Sequence, residues 1–402
     1  MNETSHNLRS TIETFIQTAQ FDALIETCKI ALTDARERSD KVTEVISLIG
    51  LAQGLKYTGK FKEARILIDG ALNFARQPGD EELIARVLIA SGDIFLSATF
   101  QSHEAERDYR EALTIARRFN GLDIMSEAQC GLSATYHQMD NTQETQKHAR
   151  EAFDLARDAS NRYWMASALS YIGAAAAKSQ PEKAMQAFED AMTIARQDNF
   201  RLMELNLTGQ IGHLLCREKR YADEGQMMLE KALAMAKDFR SVPHEFTAIY
   251  RLGRALEERG SLDLAAQYYG NMLDRAQKWA ARSYEGVAFF NLGILAYNRK
   301  HFDDAIANFE QSLAIARETK NPFQEAQAEQ VIGSCYFKMS DYDRALDHYM
   351  AARSIYDSLE NQFMANSVLQ RIVRVYFQRV LANIMRWLGL RNGDDSNTED
   401  ID

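Results

Sequence analysis

The 402-residue sequence has few of the residues that interrupt regular structure or cross-link a chain. It contains 4 prolines, 20 glycines and 4 cysteines. So few turn-forming residues over this length argue against a fold of many short strands. The cysteines lie far apart and form no CxxC pair, which disfavours a disulfide framework or a cysteine-based zinc site. We therefore expect free, buried thiols in a reducing compartment.

Long apolar runs and an excess of positive charge are also missing. No stretch reaches the roughly 18 uninterrupted apolar residues of a membrane span, and the first ten residues, MNETSHNLRS, lack the apolar core of a secretory signal. The 57 acidic and 47 basic residues give a net charge of −10, and a negative field repels nucleic-acid phosphates. These features predict a cytoplasmic protein that binds no nucleic acid.

Motifs for catalysis and metal binding are absent from the sequence. Two His-Glu pairs, His103-Glu104 and His244-Glu245, lack the second histidine of an HExxH zinc site. There is no phosphate-binding GxxxxGK[ST], no GxGxxG and no GxSxG. Asp341 and Asp343 resemble the start of a calcium loop, but later ligands are missing, so we interpret them as a helix N-cap. We expect no enzyme activity, no metal and no cofactor.

What the sequence does contain is an internal repeat, and repeats of this length are typical of solenoids. The phrase A-L-x-x-A-R, or a looser version of it, recurs nine times at spacings of 39 to 41 residues. The copies begin at Ala31, Ala71, Ala112, Ala152, Ala191, Ala232, Met272, Ser312 and Ala352.

Each repeat has the pattern of two packed helices. Apolar residues at i, i+3, i+4 and i+7 lie on both sides of a polar turn such as Gly59-Lys60 or Ser340-Asp341. A small residue about 20 places before the phrase lets the two helices approach closely. These small residues are Ala52, Gly92, Ser133, Gly173, Gly212, Gly253, Gly293 and Gly333.

This pattern resembles the tetratricopeptide repeat across residues 8–360. The 40-residue period resembles the long-repeat subclass found in Pins/LGN-type adaptors and MalT-type sensor domains. The resemblance implies an all-α fold, a right-handed superhelical solenoid of about nine helix-turn-helix repeats with a C-terminal capping helix. The first repeat is degenerate, because Ile12 stands at the small-residue position.

We divide the chain into four segments. Residues 1–37 form a degenerate first repeat that caps the N-terminus, and 38–360 form repeats 2 to 9. Residues 361–390 form an amphipathic capping helix with an apolar face, and 391–402 form a disordered acidic tail. The apolar face contains Ile372, Val373, Val375, Tyr376, Val380, Leu381, Ile384, Met385 and Leu388.

The resemblance also implies a concave groove lined by the first helix of each pair. Mixed charges, amides and aromatics on that face suit an extended peptide. Asn291 lies in a slot where related adaptors place an asparagine against a bound peptide. Helical spacing from the small residue places these residues in the groove: Arg86, Asp93, Glu127, His137, Ser170, Lys178, Asn206, His213, Arg217, Tyr250, Arg254, Glu257, Phe290, Asn291, Tyr297, Asn298, Gln327, Gln330, Phe337 and Lys338.

The leading interpretation is a non-enzymatic adaptor that binds a peptide segment of a partner protein. One alternative is a regulator that senses a peptide or a small molecule through its repeats. Another is an assembly factor recruited to a membrane by its C-terminal helix, because Arg371–Leu390 is basic and amphipathic. Capping of the last repeat is the favoured role of that helix.

Overall fold

A computed structural model of the chain describes residues 3–76, 80–359 and 361–387. The regular structure of these residues is helical throughout, with no strand among them. The predicted acidic tail, 391–402, and the last residues of the predicted capping helix, 388–390, lie outside the described residues. The helices are α1 Glu3–Gln17, α2 Phe21–Glu37, α3 Lys41–Tyr57, α4 Phe61–Arg76, α5 Glu81–Ile94, α6 Ser102–Arg118, α7 Leu122–Gln138, α8 Thr142–Asp158, α9 Arg162–Ala176, α10 Pro181–Gln197, α11 Arg201–Cys216, α12 Ala222–Asp238, α13 Val242–Glu258, α14 Leu262–Lys278, α15 Arg282–Asn298, α16 Phe302–Glu318, α17 Pro322–Lys338, α18 Tyr342–Ser358 and α19 Gln362–Trp387.

Each predicted repeat is a helix pair, from α1/α2 to α17/α18, and the all-α prediction is confirmed. The turns within pairs fall where the sequence placed them, with positive φ at Gly59 (81°) and Ser340 (61°). Asp341 is the N-cap of α18, and its side chain accepts a hydrogen bond from the backbone N–H of Arg344 at 3.2 Å. The interpretation of Asp341 as a helix cap is therefore confirmed, whereas Asp343 lies in the first turn of α18 and pairs with Arg379 at 2.9 Å.

The small residues have the packing role expected of them. A Cβ atom on Gly92 would lie 2.7 Å from Cζ of Tyr109, whose ring is fully buried between two helix pairs. The same arrangement recurs in a later repeat, where a Cβ on Gly253 would lie 2.4 Å from the ring of Tyr269. Glycine at this position lets a buried aromatic ring fill the space between helices, and burying such a ring contributes roughly 1.5–3 kcal/mol.

The helices form two compact units, Met1–Tyr284 (unit 1) and Glu285–Asp402 (unit 2). In unit 1 the first helices α3, α5, α7, α9, α11 and α13 each contact the next, and α13 also contacts α3. These six helices therefore close into a ring, which we call the inner ring. Helix α1 contacts both α3 and α11, so repeat 1 meets repeat 6.

Aromatic side chains and one ion pair hold the ring closed. Tyr57 stacks on Phe21 at 4.3 Å and on His244 at 5.9 Å between ring centroids. Asp22 pairs with Arg240 at 2.9 Å, although both side chains are largely exposed, so this pair contributes little. A small apolar core lies beside these contacts and consists of Ala19, Phe21, Leu202, Leu205, Ala236 and Phe239.

In unit 2, helix α19 packs against α18. Ala365, Val368, Ile372 and Val375 are buried in a core with Tyr356 and other residues of the last repeat. The prediction of one continuous apolar face on this helix is wrong, because Val373 (60% exposed), Val380 (56%) and Ile384 (47%) point away from that core. The helix turns one apolar stripe to the last repeat and a second one to solvent.

Candidate ligand-binding surfaces

The predicted groove residues lie on the first helices of the pairs or directly after them. In unit 1 they occupy the inner ring: Arg86 and Asp93 on α5, Glu127 and His137 on α7, Ser170 on α9 and Lys178 just after it, Asn206 and His213 on α11 with Arg217 at its C-cap, and Tyr250, Arg254 and Glu257 on α13. In unit 2 they lie on two helices: Phe290, Asn291, Tyr297 and Asn298 on α15, and Gln327, Gln330, Phe337 and Lys338 on α17.

An acidic wall forms one side of the inner ring. Asp93 accepts hydrogen bonds from the Tyr109 hydroxyl at 2.7 Å and from Nε2 of Gln53 at 3.0 Å, and Nζ of Lys56 lies 3.5 Å away. Burial lowers the pKa of Lys56, and Asp93 opposes this effect. Burial raises the pKa of Glu127 to about 8; Asp93 adds to the rise, while Arg86 opposes it. The carboxylates of this wall therefore have cationic neighbours of their own, Lys56 beside Asp93 and Arg86 near Glu127.

Arg251, on the opposite wall, has no such compensation. Its Nη1 atom lies 2.5 Å from the point where a Cβ on Gly209 would stand, so glycine at 209 makes the room that the guanidinium occupies. Among the described residues no carboxylate lies within ion-pair distance of it. Burial lowers the pKa of Arg251 to about 10, and only the phenols of Tyr171 and Tyr250 act in the other direction. Arg251 is therefore a partly buried cation that has no anionic partner in the described part of the chain.

Two histidines share this environment. Burial lowers the pKa of His213 to about 4, and Arg251, Arg254 and Arg217 lower it further through charge repulsion. Burial and Arg251 also lower the pKa of His137. Both imidazoles are therefore neutral at pH 7 and can accept or donate a hydrogen bond.

Water reaches this wall at the end of the ring formed by the C-termini of the first helices. Lys178 is exposed there and pairs with Asp140 at 2.7 Å. Arg217 is also exposed and donates to the backbone carbonyl of Ala177 at 2.8 Å. Tyr250 is 38% exposed. Lys178, Arg217 and Tyr250 therefore present cationic and aromatic groups to solvent on or directly after the helices of the inner ring.

Arg254 differs from Arg251 although it is one helical turn away. Its guanidinium lies 3.4 Å from Oε2 of Glu257 and 3.6 Å from Oε1 of Glu258. These pairs connect residues of the same helix, so Arg254 is already neutralised locally. Of the two arginines on this face of α13, Arg251 is the one left for an external anion.

The predicted residues of unit 2 are less available. Asn291 is 5% exposed, and its Nδ2 donates to the backbone carbonyl of Val287 at 2.7 Å. Phe290 packs on Phe309 at 5.5 Å, and the guanidinium of Arg374 lies 5.5 Å from the Phe337 ring centroid. The expectation that Asn291 contacts a peptide does not fit this geometry, because its amide is used within its own helix.

Sequence reasoning missed Arg251 and Tyr171, which both lie two residues before the small residue of their repeat. At about 100° per residue, this position falls at the edge of the face that the spacing selected. It also missed Lys56 and Tyr57. They lie four and five residues after Ala52, the small residue of their repeat, as His137 and Lys178 do after the small residues of theirs. Asn291 lies two residues before the small residue of its own repeat, so applying that position to every repeat would have found Arg251 and Tyr171.

Two absences bear on the chemistry of these surfaces. Within residues 3–76, 80–359 and 361–387, no three His, Cys, Asp or Glu side chains are placed to hold a metal ion. No helix in the same ranges is long and apolar enough to cross a membrane.

Comparisons with known proteins agree with this architecture. The family model described as tetratricopeptide repeat matches residues 279–358. A Rap protein solved in complex with Competence and Sporulation Factor is similar at 12% identity and a TM-score of 0.56, over 83% of this chain and 98% of that one. A STAND protein with a tetratricopeptide repeat sensor from Pyrococcus horikoshii is similar at 13% identity and a TM-score of 0.51, over 95% of this chain and 65% of that one. No curated protein matches the sequence significantly.

Proposed function

Starting from a chain built of tetratricopeptide repeats, we propose that it is a non-enzymatic adaptor whose inner ring holds an extended, carboxylate-bearing segment of a partner protein. Repeat proteins of this kind present a long surface to other molecules and form no compact catalytic cavity. The four buried, unpaired thiols support a cytoplasmic setting, where disulfides are rare.

The uncompensated guanidinium of Arg251 is the observation on which this proposal depends. A buried cation without a partner costs free energy, and truncating one partner of a buried charge pair is strongly destabilising for the same reason. A bound carboxylate would remove that cost and form a bidentate pair with the planar guanidinium. The neutral imidazoles of His137 and His213 add hydrogen-bonding groups beside it.

Aromatic side chains around Arg251 supply the rest of the recognition. Tyr171 and Tyr250 offer apolar faces and hydroxyl groups, a combination enriched where proteins bind one another. Tyr250, which is 38% exposed and precedes Arg251 on α13, is expected to contact the segment beside the carboxylate. We expect an acidic residue of the partner flanked by an apolar one.

Peptide arrays followed by calorimetry test this function. Arrays of acidic, neutral and basic peptides with interspersed leucines are probed with the full chain, and each acidic hit is compared with its Glu→Gln counterpart. We expect the acidic form to bind at least tenfold more tightly. Arg251→Gln should abolish that preference, whereas Arg259→Gln, at the C-cap of the same helix and bonded to Asp223 and Gln226, should preserve it.

The titration of His213 provides an independent readout. A carboxylate bound beside Arg251 would offset the repulsion that lowers the pKa of this imidazole, so NMR titration should give a higher pKa in the bound state. Equal binding of the acidic and amide peptides, or an unchanged preference in Arg251→Gln, would reject the carboxylate site.

A signal-responsive regulator is the second candidate, and closure of the inner ring is the observation that favours it. A ligand that binds inside a closed ring alters the contacts that close it, such as Tyr57 on His244. The similar Rap protein is solved in complex with a factor, which supports this class. Hydrogen exchange of α3 and α13 that changes on addition of the bound peptide would favour regulation over simple tethering.

A further inference from the structure

Helix α19 carries an apolar stripe that no described residue covers. From Val373 onward, seven of its large apolar side chains are at least 42% exposed, and the last of them, Trp387, is 84% exposed. At about 100° per residue these side chains fall within an arc of about 140°. The exposed stripe consists of Val373, Tyr376, Phe377, Val380, Leu381, Ile384 and Trp387.

This stripe does not continue the face that packs on the last repeat. The buried residues Ala365, Val368, Ile372 and Val375 lie about 120° around the helix from its centre. After Val375, the side of α19 that faces the last repeat carries polar residues. One of them, Arg379, pairs with Asp343 at 2.9 Å. Capping of the last repeat therefore accounts for the first half of α19 and leaves the second half unexplained.

Helix α19 is positively charged, whereas the chain as a whole is negatively charged. Residues 362–387 include four arginines, Arg371, Arg374, Arg379 and Arg386, and no aspartate or glutamate, while the whole chain carries −10. All four arginines lie outside the arc of the exposed stripe by helical spacing. An apolar stripe with cations beside it and a tryptophan at its end is the pattern of a helix that lies in the plane of an anionic membrane.

Two other occupants fit the stripe less well. Residues 391–402 contain five acids and one apolar residue, Ile401, so they offer too little apolar surface to cover seven large side chains. A second copy of α19 would bring eight arginines together without one carboxylate from either helix. Anionic lipid headgroups supply both the negative charge and the apolar layer beneath it.

We propose that Val373–Trp387 binds the surface of anionic membranes, with the exposed stripe in the headgroup–acyl boundary. The arginines other than Arg379, which pairs with Asp343, reach the lipid phosphates. At 1.5 Å per residue this segment is about 22 Å long, so it lies on the bilayer and does not cross it. The site is separate from the inner ring and does not depend on the proposed peptide function.

Vesicle flotation of the full chain tests this surface. We expect flotation with phosphatidylcholine vesicles that contain phosphatidylglycerol, none with phosphatidylcholine alone, and loss at high salt. Val380→Glu combined with Ile384→Glu should abolish flotation without changing the helical circular dichroism, because both side chains are exposed. The matched control is Ile66→Glu, which places a glutamate at a 70%-exposed apolar site on α4 and should float normally.

The arginines and the tail require their own variants. Replacing both Arg371 and Arg386 with glutamine should weaken binding to the anionic vesicles about thirtyfold, since each cation near the surface contributes about fivefold. A chain that ends at Leu390 should still float, because the acids after it take no part.

Three results would overturn the proposal. The first is equal flotation with both vesicle types, and the second is flotation that survives the double glutamate substitution. The third is a dimer in light scattering that the same substitution dissociates, because a second copy would then cover the stripe.

Discussion

The hydroxyl of Tyr284 donates a hydrogen bond to the backbone carbonyl oxygen of Ser97 at 2.8 Å, across 187 positions of the chain. The Tyr284 ring stacks on Phe246 at 4.3 Å and meets Phe100 edge-on at 5.0 Å. This side chain therefore joins the C-terminal end of unit 1 to the segment that follows α5. Together with Tyr57 and His244, it closes a solenoid that repeat spacing alone describes as open.

Tyr284→Phe should loosen unit 1 without opening its core. The substitution keeps the ring and its stacking but removes the donor to Ser97, so we expect the free energy of unfolding to fall by about 0.5–1.5 kcal/mol. Urea unfolding followed by circular dichroism measures this change. Tyr376→Phe is the control, because that exposed tyrosine makes no such bond, and equal effects of both substitutions would contradict a role in closure.

Gly59 and Gly260 form a matched pair for separating backbone strain from packing. Both have positive φ, 81° and 76°, in the turn within a repeat. A Cβ on Gly59 would lie 2.5 Å from Cε3 of Trp279, whereas a Cβ on Gly260 would meet nothing within 4 Å. Gly260→Ala should cost about 1 kcal/mol of unfolding free energy from backbone strain. Gly59→Ala should cost more, because the indole of Trp279 must also move.

Thermal and urea unfolding of the two glycine variants measure the difference. Because Gly59 and Trp279 lie in repeats far apart in the chain, the excess cost of Gly59→Ala reports on ring closure. Equal destabilisation by the two substitutions would mean that Trp279 does not pack over this turn in solution.

Local patterns in the sequence predicted the helix pairs and their packing, but they did not predict the closure. Gly92, Asp341 and the turn at Ser340 each follow from residues within one 40-residue repeat, where spacing decides which atoms meet. The contact between Tyr284 and Ser97 depends instead on small rotations added over several repeats, which no single repeat encodes.

The site and the terminal helix were predicted in part for a similar reason. Helical spacing placed the groove residues on the first helices, yet it missed Arg251 at the edge of the selected face. On α19 it treated Ile372 and Val380 alike, since both are apolar and compatible with one face. What separates them is which stripe of α19 faces α18 and how far α19 extends past the start of α18, and both are properties of packing between helices.

The four cysteines should be inert in the folded protein. All are buried and unpaired, and burial raises the pKa of Cys28, Cys130 and Cys335 to about 12 and that of Cys216 to about 11. The thiolate is the reactive form, so a thiol reagent at pH 8 should label no cysteine in the native state and four in denaturant. Fast labelling of one thiol in the native protein would indicate local opening, which single-cysteine variants would locate.

The carboxyl of Glu127 should make unit 1 less stable as pH rises. Burial raises its pKa to about 8 in the folded protein, against roughly 4.3 in an unfolded chain. Between these values the folded state holds a proton that the unfolded state has lost, so stability decreases with increasing pH by up to about 1.4 kcal/mol per unit. Urea unfolding at pH 7 and pH 8, above the range in which the histidines act, should show this loss, and Glu127→Gln should remove most of it.

Histidines in the same ring change the stability of unit 1 in the opposite direction and at lower pH. The effect of Glu127 on stability can therefore be measured separately. Burial lowers the pKa of His213 to about 4 and that of His244 to about 3, so their contribution to stability is lost as pH falls from about 6.5 toward those values. Glu182→Gln, at an exposed site in unit 1, is the control and should leave the slope between pH 7 and pH 8 unchanged. A slope that persists in Glu127→Gln would assign the raised pKa to another carboxyl and would contradict the acidic wall as described.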